Sequence, residues 1–322
     1  MNTQQKTQFK TEFEEEVYEG LTSFPKYLSS KYFYDKKGDR LFQQIMALPE
    51  YYLTGCEFDI LTQYKNEIAG LFKSASGFDL IELGAGDGKK TKILLEEFNN
   101  QKLDFSFLPI DISQNVLDEL EASVKKTWPE INIKPQQGTY FKVLEKISQY
   151  KSRKKVILVL GSNIGNLPHS KAVEFLRHIQ ESMDQEDLLF MGFDQKKDPS
   201  KILGAYNDKS GVTEAFNKNL LYRINDEMDA NFNPDNFKHW PTYDPETGTT
   251  KSFLVSTKAQ EVNINALNLS VSLEEWESIH TEISQKYDDS IVQWLAKEAG
   301  LLVMDQFTDK KGYFKDYIFK KK

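Results

Sequence analysis

Between residues 78 and 193 the chain alternates short apolar runs with stretches whose apolar positions recur every three or four residues. The runs at 78–83, 105–110, 131–134, 156–160 and 188–193 have the length and continuity of strands buried on both faces. The periodic stretches at 90–98, 115–125 and 171–183 read as amphipathic helices. Strands that alternate with helices imply parallel pairing through right-handed crossovers, the doubly wound α/β class. The flanks differ. Residues 1–75 read as helical, with Thr54 and Glu57 placed as a Thr-x-x-Glu capping box ahead of Phe58, Leu61, Tyr64, Ile68 and Leu71. Past Phe193 the alternation stops. A helix is expected over 213–228, then a loop rich in Asn, Asp and Pro, then strands at 252–256 and 263–271. A helix after Ser290 and strands at 301–307 and 313–319, joined by a turn over 308–312, complete the chain. The expected division is one discontinuous lobe of residues 61–196 and 287–322, and a second of residues 1–60 and 197–286.

At 322 residues, with 39% apolar and 13% aromatic positions, two lobes with cores of their own are expected and wholesale disorder is excluded. The net charge of −8 argues against a broad phosphate-binding surface, so no nucleic-acid partner is expected. No apolar run is long enough to span a bilayer, and the polar N-terminal residues carry no signal-peptide core, so no membrane partner and a cytoplasmic location are expected. Cys56 is the one cysteine, which excludes an internal disulfide framework and a multi-cysteine metal site. The four histidines, His169, His178, His239 and His280, lack metal-ligand spacing and read as surface or capping residues, with no metal expected.

The segment Ile81-Glu82-Leu83-Gly84-Ala85-Gly86-Asp87-Gly88-Lys89-Lys90-Thr91 follows one strand and opens a helix. Glycines there allow a tight turn and a close approach of backbone to ligand. Asp111, at the end of the next strand, is placed to accept a ribose diol. Two cofactor readings stand side by side. A dinucleotide enzyme such as an NAD-linked oxidoreductase wants a small residue where this chain has Lys89. Glu82 suits a cationic cofactor such as S-adenosylmethionine, and the C-terminal strand pair suits the methyltransferase form of the sheet. A non-catalytic S-adenosylmethionine-binding regulator is a third reading of the same turn.

Six further segments occur in order: Phe33-Tyr34-Asp35, Leu48-Pro49-Glu50-Tyr51-Tyr52, Gly161-Ser162-Asn163-Ile164-Gly165-Asn166-Leu167, Gly204-Ala205-Tyr206-Asn207-Asp208, Gly211-Val212-Thr213-Glu214-Ala215-Phe216-Asn217 and Thr281-Glu282-Ile283-Ser284-Gln285-Lys286-Tyr287. Together they resemble the histidine Nα-methyltransferases of ergothioneine biosynthesis over nearly the whole chain. The resemblance implies a Rossmann-like class I methyltransferase sheet, a discontinuous α+β substrate-binding domain and S-adenosyl-L-methionine as cofactor; a small-molecule amino-acid substrate and a monomer are expected. It implies three methyl transfers to the α-amine of L-histidine, giving hercynine. An N-methyltransferase of another aromatic amino acid, tryptophan-like or tyrosine-like, shares the architecture and stays open. By resemblance, Tyr34, Glu282 and Ser284 meet the imidazole. Asn166, Tyr206 and Tyr51 meet the amino-acid end, and Gly161 and Asn163 line the transfer site. Tyr34 and Asn166 are the residues expected to act in catalysis. The cofactor contacts expected are Glu82, Gly84, Gly86, Lys90, Asp111, Thr139 and Tyr140. Two positions depart from the family pattern. Thr139 stands where the family has an acidic residue, and Ser252 stands where it has a methionine.

Overall fold

The computed structural model describes residues 9–147 and 153–322. The start of the region read as helical from residue 1 lies outside the described residues. Two helices come first, α1 (Glu12–Thr22) and α2 (Lys36–Met46). Side chains satisfy their first amides: Thr11 accepts from Glu14 at 3.1 Å, and Asp35 accepts from Lys37 and Gly38 at 3.0 and 2.6 Å. The next helix, α3, runs unbroken over Tyr52–Phe72. Thr54 therefore lies inside its first turn, and Glu57 is fully buried and bonded elsewhere. The expected capping box is not formed.

The alternation then follows as β1 (Phe78–Leu83), α4 (Thr91–Asn100), β2 (Phe105–Asp111), α5 (Gln114–Thr127), β3 (Asn132–Ile133), β4 (Gln136–Gln137), α6 (Tyr140–Ile147), β5 (Lys154–Val159), α7 (His169–Ser182) and β6 (Leu188–Asp194). Next come α8 (Pro199–Tyr206), α9 (Val212–Met228), β7 (Phe237–Asp244), β8 (Thr249–Ser256), β9 (Gln260–Ile264), β10 (Leu269–Leu273) and β11 (Ser278–Gln285). The chain closes with α10 (Asp289–Glu298), β12 (Leu301–Thr308) and β13 (Phe314–Lys321).

These elements form two units. One holds the chain up to Tyr52 with Lys197–Ser284, and the other holds Leu53–Lys196 with Gln285–Lys322. The joints thus fall at Tyr52 and Ser284, not at the expected residues 60 and 286. Residues 53–60 continue α3, and Lys286 forms a buried ion pair at 2.9 Å with Asp194 of β6.

The second unit carries the α/β Rossmann-like sheet, in the order β12-β13-β6-β5-β1-β2-β3 with β4 beside β2. Its strands from β3 to β6 pair in parallel, and β13 runs antiparallel between β6 and β12. The long apolar runs follow from helices on both faces. Ile81, Leu83, Ile157 and Val159 pack with Ile179 of α7 and Leu295 of α10. The opposite side of β1 meets α3 and α4, where Phe78 packs edge-on against Phe72 and Phe98.

The first unit has its own core, including Phe13, Phe216, Leu254 and Ile279. A sheet in the order β11-β8-β7 and the hairpin β9-β10 pack there with helices. Two expectations are corrected. The strand expected over 263–271 is the hairpin β9-β10, which turns at Asn268 in the left-handed region. Part of the expected loop is β7, an edge strand, where Pro241 costs no interior ladder bond. No helix among the described residues is long and apolar enough to cross a membrane.

Candidate active site

The glycine turn sits at the C-terminal end of β1, where the amides of Gly84 and Ala85 both donate to Ile110 O of β2, at 2.9 and 3.2 Å. Gly84 has φ +73°, and a Cβ there would lie 2.6 Å from the Tyr140 hydroxyl. Glycine is required by conformation and by that contact. Gly86, at φ +53°, opens onto space with no atom within 4 Å of a built Cβ. Asp111 faces this turn: Oδ2 accepts the Gly86 amide at 3.2 Å and Oδ1 the Ser113 amide at 3.0 Å. Two amides fix the carboxylate in place, and an ionised carboxylate offers about four acceptor sites, enough for a diol as well. The next residue, Ile112, is 72% exposed. Thr139 precedes α6, and burial first, then the nearby Asp111, pushes the Tyr140 phenol up.

Glu82 is 3% exposed and accepts the Thr91 hydroxyl, while its second oxygen is buried with no hydrogen-bond partner. Burial pushes its carboxyl up to about 8, against the pull of Thr91 and Lys90. Lys90, just before α4, pairs with the buried Glu57 of α3. An open glycine turn, an anchored carboxylate, an ammonium and an orphaned acidic oxygen fit S-adenosylmethionine, which brings a ribose diol, a carboxylate and cationic groups.

The loop after β5 completes this unit's share of the candidate residues. Gly161 and Ser162 both have positive φ. The Gly161 amide donates to both Glu57 oxygens, at 2.8 and 3.0 Å. Ser162 Oγ accepts the Asp194 amide at 2.9 Å, and the Tyr287 hydroxyl donates to Ile164 O at 3.2 Å. Asn163 and Asn166 stand exposed on the 3₁₀ turn so held. Asn166 does not cap α7, whose N-cap is Pro168 without a side-chain bond.

The first unit holds the other candidates in two groups, one on β11 and one around Tyr34. Glu282 and Ser284 alternate along β11 and so share one of its faces. The buried Tyr206 of α8 donates its hydroxyl to Ser284 Oγ at 2.8 Å. Ser252 of β8 donates to Glu282 Oε2 at 3.3 Å. Thr281, the residue before Glu282, turns to the other face and bonds Asn217 of α9 at 2.7 Å and Ser252 O at 3.1 Å. Tyr34 is 45% exposed and lies edge-on to Phe42 and Phe216 at 5.5 and 5.6 Å, and Phe42 reaches Tyr51 at 6.3 Å. Asp35, next to Tyr34, caps α2 and accepts from Asn219 at 2.9 Å.

Sequence reasoning missed Glu57, Phe42 and Asn217. The letters of Glu57 fit a capping box equally well, and Phe42 and Asn217 look like ordinary core and helix positions. His239, expected near the surface, is buried, and that burial takes its imidazole down to about 4.

Residues 13–321 match a family described as histidine-specific methyltransferase, SAM-dependent. A histidine N-alpha-methyltransferase of Mycolicibacterium smegmatis is 37% identical over 93% of this chain and 92% of its own length. One of Mycobacterium tuberculosis is 33% identical, with the same coverage of both chains. The ergothioneine biosynthesis protein 1 of Schizosaccharomyces pombe is 30% identical over 70% of this chain and 30% of that longer protein.

Proposed function

The chain belongs to the SAM-dependent, histidine-specific methyltransferase family, and from that premise we propose that it trimethylates the α-amine of L-histidine to hercynine, a step of ergothioneine biosynthesis. S-adenosylmethionine supplies, when bound, an activated methyl group on a sulfonium. We assign its ribose to Asp111, its carboxylate to Lys90, its cationic end to Glu82 and its adenine side to Thr139 and Tyr140. The chain up to Tyr52 with Lys197–Ser284 is the proposed substrate-binding domain, and the other unit the cofactor-binding domain.

The observation that carries the substrate reading is the polar face of β11, where Glu282 accepts from Ser252 and Ser284 accepts from Tyr206. Glu282 accepts one imidazole N–H. Ser284, its hydroxyl oriented by Tyr206, serves the second ring nitrogen. Asn166 is assigned to the α-amino-acid end, and Tyr34 and Tyr51 are assigned to the substrate as aromatic faces. The α-amine of a free amino acid is largely protonated at neutral pH, so the site has to favour the unprotonated nucleophile through desolvation and hydrogen bonding. Orientation of that amine is then the chief contribution of the protein. Neutral oxygen and aromatic walls accommodate the growing quaternary ammonium.

Mass spectrometry of S-adenosylmethionine incubations with each of the twenty amino acids tests this. Histidine should gain three methyl groups and phenylalanine essentially none. Leaving buried polar groups unpaired costs about 1–3 kcal/mol each. Glu282→Ala should therefore lower kcat/KM for histidine by about tenfold to a hundredfold and narrow its lead over apolar aromatic amino acids. Comparable turnover of tryptophan or tyrosine by the wild-type chain would overturn histidine as substrate. Full activity and selectivity in Glu282→Ala would remove Glu282 alone.

A further inference from the structure

Glu57 is fully buried in α3 and touches two parts of the proposed cofactor unit at once. Both of its oxygens accept the Gly161 amide, and Oε2 also pairs with Lys90. Room for it is made on β6, where a Cβ on Gly192 would lie 2.5 Å from Glu57 Oε1. Opposite Gly192 in the sheet register stands Asp316 of β13, fully buried, its carboxyl set against that of Glu57. Burial and the neighbouring Glu57 push the Asp316 carboxyl well above the usual range. A buried ion pair seldom adds stability over an apolar replacement, so stability alone does not account for this arrangement.

We infer that Glu57 is a positioning residue for methyl transfer, its single carboxylate setting both the Lys90 ammonium beside the glycine turn and the Gly161–Asn166 loop after β5. The inference rests on the assignment of Lys90 to cofactor and of that loop to the transfer site. Its consequence is that cofactor affinity and turnover are linked through a residue that touches neither ligand.

Glu57→Gln keeps the shape but not the function. An amide can accept from Gly161 or orient its oxygen to Lys90, while its other end offers a donor to a donor. In the full chain, calorimetry should show S-adenosylmethionine binding weakened by about tenfold, with kcat for histidine reduced as well. Adding Glu57→Gln to Lys90→Met should weaken binding little further, because the two changes break the same link. A Glu57→Gln protein that melts at a lower temperature yet binds and turns over normally would make Glu57 structural only and overturn the inference. Fully additive losses in the double variant would also overturn it. If Glu57→Gln does not fold, amide exchange in Lys90→Met decides: faster exchange at Gly161 than in the wild type supports the link, and unchanged protection overturns it. Failure of the wild-type chain itself to bind S-adenosylmethionine would instead strike the cofactor assignment.

Discussion

Glu82 shows how far one side chain's chemistry depends on its surroundings. Its place before the glycine turn is legible in the sequence, and the proposed pairing with a cationic cofactor rests on that place. Its desolvation is not, since burial arises from α3 and α4 packing over this face of β1. In the unfolded chain the carboxyl titrates near 4.5, whereas in the folded chain burial raises it to about 8, with Thr91 and Lys90 pulling down and Glu57 and Asp87 pushing up. A raised folded pKa gives stability that is complete below the unfolded value and lost as the pH rises through the folded one. Glu82→Gln removes that dependence. Without cofactor, denaturant unfolding should show the variant gaining on the wild type as the pH goes from about 5 to about 8, by up to about 1.4 kcal/mol per pH unit. A difference that does not vary with pH would mean that Glu82 is ionised in the folded chain. The places of Asp111 and Gly84 were legible more fully, because both stand at strand ends. Glu57 was not, because the same Thr-x-x-Glu letters serve a helix cap and a buried clamp.

Among the elements, α9 carries Phe216 against Tyr34 and Asn217 against Thr281, so its start bears on the proposed substrate residues. Its N-cap, Gly211, has no side chain to offer. Asp208 does that work from three residues earlier, accepting the Val212 and Thr213 amides at 2.9 and 2.8 Å and the Ser210 hydroxyl. Burial pushes its carboxyl up, but these bonds outweigh burial and bring it down to about 2, from an unfolded value of 3.8. A depressed folded pKa gives stability that is complete above the unfolded value and lost as the pH falls toward the folded one. Asp208→Ala should cost about 1–2 kcal/mol at neutral pH. The gap from wild type should hold down to about pH 4 and close toward about pH 2. Thermal melts across that range check both parts, and a gap that persists at the acid end would assign the loss to packing. The parallel strands were legible as elements because burial on both faces leaves an unbroken apolar run. The strands β7, β9 and β11 were harder, since Pro241, Asn263 and alternating polar residues give them the composition of loops.

At the scale of the molecule, the chain leaves the sheet unit at Lys196 and returns at Gln285. A discontinuous lobe was legible because the strand-helix alternation stops after β6 and resumes near the C-terminus. The exact joints were not, since Tyr52 and Ser284 lie inside or at the end of regular elements. The two ends of the excursion are neighbours. Gln195 and Tyr287 form a parallel bridge, and the Lys196 amide donates to Tyr287 O at 2.6 Å. The sheet unit also has a hydrophobic core made of its own residues, and β13, which fills the gap between β6 and β12, is supplied from beyond the excursion. Truncation after residue 196 would therefore strip β13 from β6 and leave an apolar strand as an open edge. Replacing 197–284 by a flexible linker of about eight residues, in a chain that begins at Leu53, avoids this, because such a linker spans on the order of 15 Å. That protein should unfold cooperatively and bind S-adenosylmethionine within about tenfold of the full chain, since Asp111, Lys90, Glu57 and the glycine turn are all present. It should not methylate histidine, because Tyr34, Tyr51, Tyr206, Glu282 and Ser284 are gone. Calorimetry and mass spectrometry on the one preparation check the two halves separately. A folded protein that binds no cofactor would overturn the assignment of the cofactor to the sheet unit, and one that still methylates histidine would overturn the proposed substrate role of the excised unit.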